Sequence, residues 1–190
     1  MQAPLRVTQT IILAAGSGSR LATARGDVPK PLMSVAGLPL VAHALEHAHA
    51  SGCDEAVVVI GFEGARVRAA IEAMQTPMRV RFLENPEFTS PNGVSLLAAE
   101  PAAAPAFYLQ MVDHLFLEPA LRHLAHGALG AGEAGRVLVD SVPSPDIDLA
   151  DATKVQLVGD RVAAIGKGLE RWDAIDAGCF VLTSAVFDAL

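Results

Sequence analysis

Cysteine occurs only twice in 190 residues, as Cys53 and Cys179, each inside or beside an apolar run. That scarcity argues against a disulfide framework or a cysteine metal cage and for two reduced core thiols. Aromatic residues make up 5% of the chain, and Tyr108 and Trp172 stand alone in sequence as packing residues rather than stacking platforms. No apolar stretch reaches the roughly 18 residues a membrane-spanning helix needs. Met1–Arg6 lacks the basic and apolar regions of a secretory signal, so the expected location is the cytoplasm. Positive charge is also short, with 14 Lys+Arg against 21 Asp+Glu and a net charge of -7, which argues against a nucleic-acid-binding surface. Lysine is rarest among the charged residues: only Lys30, Lys154 and Lys167 occur. What is abundant is apolar mass, 52% of residues, enough for one full core and a single domain over 1–190.

The pattern along the chain alternates strand and helix. Val7–Leu13 is a β-branched run that ends in Ala14-Ala15-Gly16-Ser17-Gly18-Ser19, too small and flexible for strand interior. Leu40–Ala50 places Leu40, Val41, Ala44, Leu45 and Ala48 on one helical face, and Ser51-Gly52 can stop it. A strand at Glu55–Ile60, a helix at Glu63–Met74 and a strand at Met78–Leu83 follow. After a polar loop come a short helix, Gly93–Glu100, and a strand, Ala106–Val112, that delivers Asp113 and His114. The pattern predicts a further helix from Pro119 to about Ala128 and a strand at Arg136–Val142. Beyond Pro143 the strand-like runs Lys154–Val158, Arg161–Ile165 and Gly178–Leu182 have no long helix between them, so the predicted α/β sheet is mixed, mostly parallel, with an antiparallel addition. Ligands of such sheets collect outside the carboxyl ends of the strands. The glycine loop and Asp113-His114 both belong there.

Backbone N–H groups of a small-residue loop after a strand can cradle phosphates, with Arg20 as a charged clamp. Two standard nucleotide loops do not fit: Leu21 stands where the dinucleotide fingerprint needs its third glycine, and the Gly-Lys-Ser/Thr of a P-loop is absent. Taken alone, such a loop is more often a simple turn. Downstream, Pro29-Lys30-Pro31-Leu32 flanks a rare lysine with prolines that fix the backbone and present the cation on a stiff arm.

Together the two segments, LAAG-x-G-x-R-L and PKPL, match the signature of nucleotidyltransferases that join a nucleoside triphosphate to a phosphorylated sugar or alcohol. Gln110-Met111-Val112-Asp113-His114-Leu115-Phe116 resembles the MSDH segment of the CTP:inositol-1-phosphate cytidylyltransferases, which are often fused to a CDP-alcohol phosphatidyltransferase. Glu84-Asn85-Pro86-Glu87-Phe88, Asn92 with Ser95, Asp148 to Val155, Ile165-Gly166-Lys167 and Ala174 to Phe180 agree with that subgroup rather than with relatives acting on hexose-1-phosphates or molybdopterin.

The resemblance implies a Rossmann-like, three-layer α/β fold of the GT-A type and a Mg2+-dependent condensation of CTP with inositol-1-phosphate. It assigns Arg20 to the β/γ phosphates, Lys30 to the α-phosphate and Asp113 to the metal, with His114 behind them rather than catalytic. Leu13, Ala14, Ala15, Gly16, Ser17 and Gly18 would meet the nucleotide through main chain, with Asn92 and Ser95 at the pyrimidine edge. Lys167, Lys154 and Asp176 fall on the acceptor side. Val112 and Gly93 depart from the subgroup's usual residues, and its members continue past the position of Leu190 through a late aspartate motif, so the domain is expected to lack a C-terminal segment and to bind better than it turns over; Asp176 and Asp140 are the internal alternatives for that second carboxylate. Other acceptors (phosphocholine, a phosphonate, a hexose-1-phosphate) and nucleotide binding without turnover remain open at this level, as does the oligomeric state.

Two further patterns carry no such chemistry. His43, Glu46 and His47 spell H-x-x-E-H on the polar side of the Leu40–Ala50 helix, with no further ligand. Asp146, Asp148 and Asp151 begin like a calcium loop, but its sixth position lacks glycine and its twelfth is Leu157.

Overall fold

The computed structural model describes residues 6–18, 27–116, 120–126, 129 and 133–190. Strand β1 (Gln9–Ala14) is buried at every position. Its neighbours are β4 (Glu55–Ile60) and β6 (Ala106–Met111), both parallel to it, and β5 (Arg79–Glu84) extends the sheet beyond β4, again in parallel. Between β1 and β4 come a small hairpin, β2 (Ser34–Val35) with β3 (Leu38–Pro39), and helix α1 (Leu40–Ala50). Helix α2 (Gly64–Glu72) joins β4 to β5, and α3 (Asn92–Ala99) precedes β6.

Alternate side chains of each central strand enter different layers, as the two-residue strand period requires. Ile12, Val58, Ile60 and Tyr108 face α1 and α2, where Val41, Leu45, Val67 and Ile71 close the first core. Ile11, Leu13, Val57, Val59, Phe107 and Leu109 face α3, with Leu96 beneath them, and Phe187 stacks on Phe107 at 5.8 Å. Three layers result, with the sheet in the middle. Cys53 and Cys179 are free and buried in the first core, and burial pushes both thiols up to about 12.

The antiparallel addition is built on β10 (Ala174–Thr183), which follows β7 (Gly135–Asp140), β8 (Lys154–Val158) and β9 (Arg161–Gly166). The second half of β10 pairs with β6, from Cys179 opposite Gln110 to Thr183 opposite Ala106. Its first two residues, Ala174 and Ile175, pair with β8, while β7 runs along the other edge. The β8–β9 hairpin therefore continues the sheet past the point where β6 ends.

Three elements differ from the sequence pattern. β10 begins four residues before Gly178, because Asp176 and Gly178 interrupt the apolar run at an irregularity where Gly178 takes a φ of 74°. The helix expected from Pro119 to Ala128 reduces, among the described residues, to α4 (Leu121–Leu124); residues 117–119 and 127–128 lie outside them. The β2–β3 hairpin was not expected, since its two-residue turn, Ala36-Gly37, uses positive φ at an alanine as well as at a glycine.

Candidate active site

Parallel register sets the site. Ala14 pairs with Ile60, Ile60 with Glu84, and Leu13 with Met111, so the segments after all four parallel strands leave from one end. Phe62 donates its N–H to the Ala15 carbonyl at 2.9 Å, which ties the loop after β4 to the glycine loop. A Cβ at Gly61 would stand 2.9 Å from that same oxygen and 2.6 Å from Phe88 Cβ, so only glycine fits there. Gly61, Asn85 and Phe88 line a concavity of about 270 Å³. A larger one, about 340 Å³, lies at the opposite end of the sheet, between Arg6, Ser51, Asp54, Tyr108 and Arg122, remote from the convergent charges.

Lys30 opens a 3-10 turn, Lys30–Leu32, between the buried Pro29 and Pro31. Its aliphatic stem packs on Gly18, where φ is 60° and an added Cβ would come within 2.9 Å of Lys30 Cβ. Glycine is required there by backbone and by space. The Lys30 ammonium forms an ion pair with Asp113 Oδ2. The two motifs that the sequence separates by 83 positions thus meet in one contact.

Asp113 follows β6 in a turn where the Val112 N–H bonds Leu13 and the His114 N–H bonds Met111. Partial burial alone would raise its pKa, but hydrogen bonds from His114 Nδ1, at 3.0 Å, and Lys30, with the charges of both, hold the carboxyl well below the usual range. The imidazole of His114 fills the place a Cβ would take at Gly178, 2.5 Å from its Cγ. Two residues earlier on β10, the Asp176 carboxylate accepts the Gly178 N–H at 2.7 Å. Burial pushes Asp176 above the ordinary range despite that bond and the nearby His114. Two carboxylates on either side of one histidine are driven in opposite directions.

Asp176 also connects to the hairpin, its N–H bonding the Thr153 carbonyl at 2.8 Å. Lys154 Nζ donates to the Lys167 carbonyl at 2.9 Å, and Lys167 Nζ to Asp151 at 2.6 Å. The structure thus brings Lys154, Lys167 and Asp176 together beyond the end of β6, with Asp176 beside His114. Asp140 pairs with Ile175 and caps Val142 through its carboxylate.

On the nucleotide side, Gly16 is exposed and Leu13, Ala14 and Ala15 are buried, so from the apolar residues only main chain is on offer. Asn92 starts α3 and reaches Met111 Sδ with its amide. Ser95 is buried, and its Oγ accepts the Asn85 amide at 2.9 Å, while Asn85 Oδ1 takes the Glu87 N–H. Ser95 thus fixes the Asn85 loop from below. Arg20 lies outside the described residues. The sequence pattern alone gives Gly61, Asn85 and Gly178 no role; the rule that parallel-strand loops share one end singles out the first two, whereas Gly178 becomes visible only with the β6–β10 pairing.

Asp113 is ionised and one-third exposed, an oxygen donor suited to a hard cation that completes its shell with phosphate oxygens and water. Among the described residues no group of three or more His, Cys, Asp or Glu side chains could cage a metal. The donor set therefore fits a cation shared with a nucleotide.

A glycine loop after β1, a lysine on a proline-stiffened turn against it and an aspartate after the central β6 define a nucleotidyltransferase-type α/β domain. The chain belongs to the family of MobA-like NTP transferase domains, whose profile matches residues 10–146. It is 37% identical over 94% of its length to the bifunctional IPC transferase and DIPP synthase of Rubrobacter xylanophilus, and 32% identical over 97% to that of Archaeoglobus fulgidus. It spans 39% and 34% of those two proteins. The structure of the inositol-1-phosphate CTP transferase from T. maritima superposes with a TM-score of 0.86 at 28% identity, covering 98% of this chain and 74% of that one. No helix among the described residues is long and apolar enough to cross a membrane.

Proposed function

We propose that the domain is a cytidylyltransferase that condenses CTP with inositol-1-phosphate. A phosphate oxygen of the acceptor attacks the α-phosphorus of CTP; the bond from that phosphorus to the oxygen bridging to the β-phosphate breaks, and CDP-inositol and pyrophosphate result. The observation that carries this reading is the meeting of Lys30 with Asp113 against Gly18, with His114 linking Asp113 to Gly178 on β10, the strand whose Ile175 pairs with Lys154 of the β8–β9 hairpin. The names of its relatives, matched over almost the full chain, support the choice of CTP and inositol-1-phosphate.

Both reactants are anions, so the chain's task is to neutralise them and hold them in line. The N–H groups of Gly16–Gly18 receive the triphosphate, with Arg20 on its β/γ end. Lys30 meets the charge that develops at the α-phosphate, which requires its ammonium to turn from Asp113 toward the nucleotide. Asp113 would hold Mg2+, which supplies positive charge to the triphosphate when bound. Lys154 and Lys167 receive the acceptor phosphate, and Asp176 accepts from acceptor hydroxyls. The product is the substrate class of a CDP-alcohol phosphatidyltransferase, fused or associated at a membrane, and the cytidylyl step belongs on the cytoplasmic side of phospholipid synthesis.

The test is pyrophosphate release from CTP, UTP, ATP and GTP, each with inositol-1-phosphate, phosphocholine, a phosphonate and glucose-1-phosphate. Release fastest with CTP and inositol-1-phosphate is expected. Equal rates with all four nucleotides, or none with CTP, would refute the assignment.

A further inference from the structure

His47, the last residue of the H-x-x-E-H pattern on α1, is not on a solvated face. It is half-buried, and its Nδ1 lies 2.8 Å from Oε1 of Gln110, two residues before the β6 strand gives way to Val112-Asp113. The Gln110 amide is oriented by two acceptors, Thr10 Oγ1 at 3.0 Å and the Ala44 carbonyl at 3.4 Å, so Oε1 must face the histidine and Nδ1 must carry the proton. Thr10 in turn donates to the Tyr108 carbonyl at 3.4 Å. One directed chain of hydrogen bonds therefore runs from α1 through the sheet and ends on the β6 backbone. The same ring also stacks on Phe116, centroids 4.9 Å apart and planes at 18°.

Gln110 and Phe116 bracket the segment that carries Asp113 and His114. At its front, that segment is held by the Lys30–Asp113 ion pair, which loosens when Lys30 turns to the nucleotide, and by His114 packed over Gly178. At its back, one imidazole grips both ends, through a hydrogen bond at 110 and a ring face at 116. We infer that His47 is a positioning residue for the Asp113 loop, holding it in register from behind the sheet while Lys30 turns to the nucleotide. The inference rests on the transferase reading for its effect on rate, and on geometry alone for its effect on the loop. A displacement of about 1 Å at a group that must meet a reacting phosphate costs one to two orders of magnitude in rate.

The experiment uses the full chain with methyl-13C-labelled methionine and three variants. His47→Asn keeps a donor near Nδ1 and removes the ring; His47→Phe keeps the ring and removes the donor; His49→Asn changes an exposed residue of the same helix. Met111 reports on the Asp113 loop and Met78, buried before β5 at the other end of the sheet, on the fold. In both His47 variants the Met111 methyl resonance is expected to move while that of Met78 stays. The kcat for CTP-dependent pyrophosphate release should fall roughly tenfold with the KM for CTP within about twofold. Adding Phe116→Leu to His47→Asn should lower kcat little further, since both act through one contact. The His49 variant should match the parent. An unmoved Met111 resonance with unchanged kcat overturns the inference, and so does a rate loss that only tracks the unfolded fraction. A shifted Met111 resonance in a chain whose parent releases no pyrophosphate from CTP supports the loop contact and refutes the transferase reading instead.

Discussion

At the scale of residues, the Lys30–Asp113 contact does two things at once. It keeps a carboxylate ionised at the mouth of the site and holds in reserve the ammonium that, in the function proposed here, turns to the α-phosphate. Lys30→Ala should lower kcat by a factor on the order of 10², as loss of a preorganised donor does, measured by steady-state pyrophosphate release. The pH behaviour follows from the sign of the shift. Because the folded Asp113 pKa is depressed, its ionised form adds stability above the ordinary carboxylate range and loses it as pH falls through the lower, folded value. Without the Lys30 charge that value rises, so carboxyl 13C titration of a Lys30→Met chain should find Asp113 protonating at higher pH, and acid unfolding should begin at higher pH than in the parent. Ser95→Ala should cost about 1–2 kcal/mol in urea unfolding, because it strips the Asn85 amide of a buried partner.

At the scale of elements, β10 is the piece that makes a site out of a nucleotide fold. Its irregularity at Asp176–Phe180 lets one strand pair with β6 at one end and β8 at the other, and sets His114 on a bare glycine between them. Gly178→Ala forces an unfavourable φ and a clash with the imidazole; a loss of about 1–3 kcal/mol and a collapse of turnover are expected from denaturation and rate measurements on the same sample. The hairpin is expected to make a separable contribution: Lys167→Ala should raise the KM for inositol-1-phosphate and leave that for CTP nearly unchanged, since the charge proposed to meet the acceptor phosphate would do so in the ground state. Periodicity made the parallel half legible, because Ile11–Leu13 and Val57–Val59 alternate between two cores and strands of that kind declare themselves locally. The β10 half was only partly legible, because Asp176 and Gly178 read as a break when seen without β6 beside them. His47 read as solvated for a related reason: helical spacing puts it off the apolar face, and only the sheet brings Gln110 and Phe116 to it.

At the scale of the whole molecule, the site spans a seam. The glycine loop, Lys30 and Asp113 belong to the parallel sheet, whereas Lys154, Lys167 and Asp176 belong to the antiparallel addition, and His114 over Gly178 joins the two. That division matches the division of labour proposed here, nucleotide on one side and acceptor on the other. Pyrophosphate release alone would also accompany hydrolysis of CTP to CMP, so the decisive observation is the fate of the α-phosphorus. We would follow 31P NMR of the chain incubated with CTP, inositol-1-phosphate and Mg2+. A new coupled pair of diphosphodiester resonances should grow with pyrophosphate as the inositol-1-phosphate signal falls. Formation of CMP and pyrophosphate with the acceptor signal intact would rule out transfer to inositol-1-phosphate.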